Sequence, residues 1–150
     1  MRILGIDPGI RNTGWGLVEV ASGHLRHIAN GVIKPDPGAA DTVRLQIIAA
    51  GLDAVIASHA PDRAAIEAIF VSRSAASALK LGMARGVAME RCGSAGLYVD
   101  EIAARQVKKA VVGTGTADNH LTLGVIICHV TNSAAITGGV CGNGLHRCQA

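Results

Sequence analysis

No apolar run in this sequence is long enough to cross a membrane, although 49% of its residues are apolar. The apolar residues are interrupted often, and together with 17% charged residues this is the composition of a folded, soluble chain. The opening Met1-Arg2-Ile3-Leu4-Gly5-Ile6-Asp7 sets an acid where a secretory signal needs its apolar stretch, so a cytoplasmic location is expected. Internal repeats and long linkers are missing as well, and 150 residues suit one domain with a real core better than two. Cysteine is sparse: Cys92, Cys128, Cys141 and Cys148 form neither a standard zinc spacing nor a regular disulfide framework. Reduced thiols are expected, with a zinc site at Cys141, His146 and Cys148 as the lesser alternative. Charge is nearly balanced, 14 Lys and Arg against 11 Asp and Glu, and a net +3 suits a polyanion only if the positives share a face.

What is present is a pattern of short extended runs followed by helices. Residues 2–7 form an apolar run closed by Pro8-Gly9, residues 13–20 a second, and residues 24–34 a third that stops at Pro35-Asp36-Pro37-Gly38. This predicts an antiparallel meander. Asp41 is the expected N-cap of a helix to about Ser58, with Val43, Ile47, Ala50, Ala54 and Ala57 at three- and four-residue steps. A compact run over residues 63–68 then follows a helix directly, as a parallel strand does. Residues 74–91 are helical by period, with Ala75, Ala78, Leu79, Gly82, Met83, Gly86 and Val87 on one side, small enough for close packing. A strand over residues 96–100 and a short helix over 103–111 precede the loop at Gly113-Thr114-Gly115, and scattered glycines make the end of the chain irregular.

Two acids stand out chemically. Asp7 closes a strand just before Pro8-Gly9, which lets it point out of the sheet edge where α/β ligands bind. Glu67 interrupts Ala64-Ala65-Ile66-Glu67-Ala68-Ile69-Phe70, where a buried charge without a partner costs several kcal/mol. Should the two strands be neighbours, a hard divalent cation such as magnesium is the natural counter-charge. Two such ions, roughly 4 Å apart, can activate water and stabilise the leaving oxygen in phosphodiester hydrolysis. The plainer alternatives are a surface ion pair of Glu67 with Arg63 or Arg85, and a turn in which the amides after Pro8 bind Asp7. The stretch from Asp7 to Gly14 also fits a nucleotide-phosphate cradle, although no second glycine-rich loop follows. Positive charge gathers at Arg73, Lys80 and Arg85 and again at Arg105, Lys108 and Lys109; phosphate contacts or ordinary solvated helix faces both account for it. Phe70, the one phenylalanine, is placed either to stack on an unpaired base or to fill the core.

Taken together these segments resemble the RuvC family, metal-dependent endonucleases that resolve four-way DNA junctions. Ile3-Leu4-Gly5-Ile6-Asp7-Pro8-Gly9 with Thr13-Gly14-Trp15-Gly16 is similar to the family's first strand and hairpin, and Ile66-Glu67-Ala68-Ile69-Phe70 to its second carboxylate and following aromatic. Ala78-Leu79-Lys80-Leu81-Gly82 with Ala84-Arg85-Gly86 is similar to its central helix, and residues 103–108 through Val111-Val112-Gly113 to its basic helix and loop. The resemblance implies an RNase H-like α/β fold: a mixed sheet with an N-terminal antiparallel meander, flanked by helices. It also implies a homodimer, two magnesium ions per site, symmetric nicks across a four-way junction, and cooperation with the RuvA-RuvB branch-migration complex. Asp7 and Glu67 take metal-ligand and catalytic roles by position; Phe70, Lys80, Arg105, Lys108 and Lys109 fall in segments that face DNA.

The four motifs end near residue 117, which divides the chain into a nuclease domain over 1–117 and an atypical tail over 118–150. The family completes its site with Asp-x-x-Asp on a last helix, whereas Asp118 is the only acid here after Ala117. Aligning Ile127-Cys128-His129 with the end of that helix sets Asp118 at the first carboxylate, as a further metal ligand, and Leu121 at the second. A shifted frame, an internal deletion or a degenerate copy would each produce such an ending. A site short of carboxylates predicts weak metal binding and a large loss of cleavage rate even if junction binding survives. A junction binder that no longer cuts is therefore the competing function, and an ATPase-like nucleotide-binding domain the third.

Overall fold

Residues 1–22, 24–68 and 74–103 are described by a computed structural model of the chain. The first apolar run is β1 (Arg2–Asp7), and the turn at Pro8-Gly9 returns the chain into β2 (Thr13–Ala21), which leads on to β3 (His24–Ile33). Both joins are antiparallel, with Asp7 opposite Gly14 and Thr13 opposite Ile33, as the expected meander requires. The helix α1 (Asp41–His59) then carries the chain to β4 (Arg63–Ala68), parallel to β1, and α2 (Ala75–Ser94) carries it to β5 (Tyr98–Ala103), parallel to β4. Parallel neighbours cannot be joined by a tight turn, so each needs a crossover of helical length. The sheet order is β3-β2-β1-β4-β5, with β1 at the centre.

The core lies where this sheet meets the helices. Leu4, Ile6, Leu17, Ala64 and Ile66 pack with Ile48, Leu52 and Val55 of α1 and with Ala84, Ala88 and Cys92 of α2. Strand alternation sends Ile3, Ala65 and Ile102 to the opposite face, and these are buried too. Burial on both faces explains why β1 and β4 are nearly continuous apolar runs rather than alternating ones.

Both helices are where their periodicity put them, but each turns a different stripe inward. In α1 the buried residues are Ile48, Leu52 and Val55, while Val43 and Ile47 of the expected stripe are 43% and 38% exposed. The helix is apolar nearly all round, so two stripes compete, and the one with the bulkier side chains faces the sheet. In α2 the fully inward residues Ala84, Ala88 and Cys92 repeat every fourth position; of the expected stripe Val87 packs against the core, while Leu79 is 67% exposed. A Cβ at Gly82 or Gly86 would meet nothing within 4 Å, so these glycines do not serve close packing among the described residues.

The boundaries shift slightly. Ala40, not Asp41, is the N-cap of α1 and makes no side-chain cap; Asp41 sits in the first turn, where a carboxylate complements the helix dipole. The last strand begins at Tyr98 instead of residue 96, because Gly96 takes a left-handed φ of 76° in the turn out of α2. Ala103, expected to open a helix, ends β5; the rest of that expected helix lies outside the described residues.

One close approach is diagnostic of how the meander packs. A Cβ on Gly31 would lie 2.8 Å from the Trp15 indole, which also packs against the His59 ring at a centroid distance of 5.7 Å. Gly31→Ala is expected to cost about 1–3 kcal/mol through overpacking, measured as a lower urea midpoint with an unchanged slope.

Candidate metal centre

The pairing of β1 with β4 places the two acids. Ile6 is the last registered partner of Ile66, so Asp7 and Glu67 follow at the next step on adjacent parallel strands. Residues in register project from the same face, and this is the face opposite to the one where Ile6 and Ile66 meet the helices. Asp7 and Glu67 therefore stand side by side at the C-terminal edge of the sheet, where loops rather than core surround a side chain.

Next to Asp7 on the meander side stands a residue without a side chain. Its cross-strand partner is Gly14, and a Cβ there would be only 3.6 Å from the Asp7 Cβ. Gly5 and Gly16, paired with each other, continue the strip without side chains on the same face. Asp7 is half-buried, and among the described residues no donor bonds its carboxylate. Burial accordingly raises its pKa above the ordinary aspartate value. A partly desolvated carboxylate beside a second acid is a donor set that suits a hard cation.

The plainer alternatives can be compared with the geometry. Arg63 donates to Asp100 at 3.0 Å and stacks over Tyr98, and Arg85 is paired with Glu101, so both candidate partners of Glu67 hold acids of β5. The amide of Gly9, which would have closed a turn onto Asp7, donates to the Thr13 hydroxyl at 3.4 Å instead. Lys80, near the start of α2, is half-exposed and lies 3.4 Å from Asp41 of α1. Phe70, Arg73, Arg105, Lys108, Lys109, Asp118 and the zinc alternative of Cys141, His146 and Cys148 lie outside the described residues. Among those described, no group of three or more His, Cys, Asp or Glu forms a metal cluster, so the pair is what the described residues supply to the candidate centre.

Comparison with known proteins joins this geometry to a family. The profile of crossover junction endodeoxyribonuclease RuvC matches residues 3–135. This chain belongs to the RuvC family. Its RuvC relative from Paramagnetospirillum magneticum is 54% identical over 117 residues, covering 78% of this chain and 70% of that protein. The RuvC of Caulobacter sp. (strain K31) is 46% identical over 145 residues, covering 97% of this chain and 85% of the relative. In structure the chain is similar to T. thermophilus RuvC in complex with Holliday junction substrate, with a TM-score of 0.77 and 27% identity over 92% of this chain and 96% of that one. The yeast mitochondrial Holliday junction resolvase Ydc2, 10% identical with a TM-score of 0.52, shares the fold. The RuvC likeness thus extends beyond the four motifs of the sequence, to residue 135.

Beside the acids lies one buried hydroxyl whose contacts the sequence does not announce. Thr13 is the one buried polar side chain among the described residues, and its hydroxyl donates to the Gly9 carbonyl at 2.9 Å. A threonine at the start of a strand carries no distinguishing mark in the sequence.

The electrostatics of Asp7 set a testable sign. Because its folded pKa is raised, its favourable contribution is present below the ordinary aspartate pKa and is lost as pH rises through the folded value. At pH 7 without divalent metal the ionised group is a liability, so Asp7→Asn should raise the melting temperature by roughly a few °C. The gap should close below the ordinary aspartate pKa of about 4, where the carboxyl is neutral in the folded and the unfolded chain alike; calorimetry in chelator at the two pH values measures it.

Proposed function

We propose that this chain is a crossover junction endodeoxyribonuclease that nicks four-way DNA with the help of divalent metal at Asp7 and Glu67. The observation carrying this reading is the parallel register that follows Ile6 and Ile66 with two carboxylates on one face of the sheet edge. Magnesium, as two ions per site, is the cofactor that suits an all-oxygen donor set. When bound, it supplies a Lewis acid that lowers the pKa of water and offsets charge on the leaving oxygen.

Asp7 and Glu67 would hold that ion by their carboxylate oxygens, on strands rigid enough to aim them, and Asp118 is the further ligand from the far end of the chain. Residues 1–117 form the nuclease body in this reading and residues 118–150 a distinct tail. Phe70 would stack on a base near the scissile bond, while Lys80, Arg105, Lys108 and Lys109 neutralise phosphates. Symmetric nicking of a two-fold junction calls for a homodimer, since one site per protomer then faces each opposed strand. The reaction belongs in the cytoplasm, next to the RuvA-RuvB complex that moves the junction.

A labelled four-way junction with magnesium tests the assignment. The wild type should give paired nicks on opposed strands, and Asp7→Asn and Glu67→Gln should each lower the rate on the order of a hundredfold or more while leaving junction binding in chelator intact. Tight binding with no product from the wild type would instead identify a junction binder that does not cut.

A further inference from the structure

We propose that Thr13 is a positioning residue for Asp7, its hydroxyl fixing the turn on which that carboxylate is mounted; this rests on the reading of Asp7 as a metal ligand. Thr13 is fully buried, and its Oγ1 donates to the carbonyl of Gly9 at 2.9 Å and accepts the Gly9 amide at 3.4 Å. Both backbone groups of one residue, two positions after Asp7, therefore depend on a single hydroxyl.

The loop they belong to has little slack. Asp7 and Gly14 pair at its base, and a Cβ on Gly9 would lie 2.5 Å from the Asn12 carbonyl oxygen, so the chain folds closely on itself. Ile10 pins the loop to the core, and Thr13 is held from the other side by its place opposite Ile33. The hydroxyl thus ties the loop to the three-stranded part of the sheet. Among the described residues no hydrogen-bond donor orients the Asp7 carboxylate, so within them the backbone of the turn is what aims it. Without the hydroxyl, the Gly9 N–H and C=O lose their partner in a partly buried position and the turn must relax to rehydrate them. A ligand on a relaxed turn binds metal less well, because aim rather than presence decides affinity.

The experiment compares wild type, Thr13→Val, which keeps the shape and deletes the hydroxyl, and Thr13→Ser, which keeps the hydroxyl. Uptake of Mn2+ alone is read by electron paramagnetic resonance of the free ion, alongside thermal melting and junction binding in chelator. Thr13→Val should weaken Mn2+ binding about tenfold and raise the metal needed for half-maximal cleavage in parallel, with junction binding unchanged and Thr13→Ser close to wild type. Unaltered Mn2+ binding in Thr13→Val would overturn the proposal, as would equal loss in both variants. A Thr13→Val chain that does not melt cooperatively would also overturn it, by making the hydroxyl a requirement of the fold. A wild type that takes up no Mn2+ would remove the metal-ligand reading of Asp7 itself, an outcome distinct from wild-type binding that Thr13→Val leaves intact.

Discussion

Four residues of β1 lie in parallel register with four of β4, from Ile3 beside Arg63 to Ile6 beside Ile66. A slip of one residue in that ladder would turn Glu67 toward the helices and Ile66 toward the opposite face, since successive side chains alternate in face. The register is therefore set by hydrophobic burial on both faces, and the acidic pair is carried along by it. The ends of the ladder reinforce the alignment: the amide of Arg2 donates to the Asp62 carboxylate at 2.6 Å, and the amide of Asp62 to the Arg2 carbonyl at 2.9 Å. These contacts clamp the edge opposite to the acids and act on them through the rigidity of two short strands.

The same burial that fixes the register makes the acids unfavourable. Asp7 is desolvated without compensating donors among the described residues, a cost the fold bears because neighbouring strands leave it nowhere else to go. Sites that are strained or poorly solvated in the unliganded protein are where function and stability are in opposition. Among the described residues the opposition falls at one edge of the sheet. At the other edge the charges are paired conventionally, as with Glu19 and Arg26 across β2 and β3 at 2.7 Å.

The meander, the crossovers and the acidic pair were legible in the sequence because each leaves a local chemical signature. Pro8-Gly9 and Pro35-Asp36-Pro37-Gly38 break the chain, and an acid inside Ala64-Ala65-Ile66 is conspicuous in an apolar run. The inward faces of the helices were not legible. In α1, Val43 and Ile47 share their spacing with Ile48, Leu52 and Val55, and only the position of the sheet chooses between them. In α2 the chosen residues are Ala84, Ala88 and Cys92, small side chains whose claim on the core rests on fit instead of hydrophobicity. The contacts of Thr13 were not legible for a related reason: a hydroxyl that bonds its own turn looks the same in sequence as one that bonds water.

Cys92 illustrates what small-residue packing does to chemistry. It is wholly buried between α2 and the sheet, and desolvation pushes its thiol up to about 11, so almost none is thiolate near neutrality. There it behaves as a compact apolar group, closed to oxidants and alkylating agents while the helix stays seated. Reactivity at this sulfur thus reports whether the second crossover has lifted from the strands, which makes a native side chain into a built-in gauge of local opening.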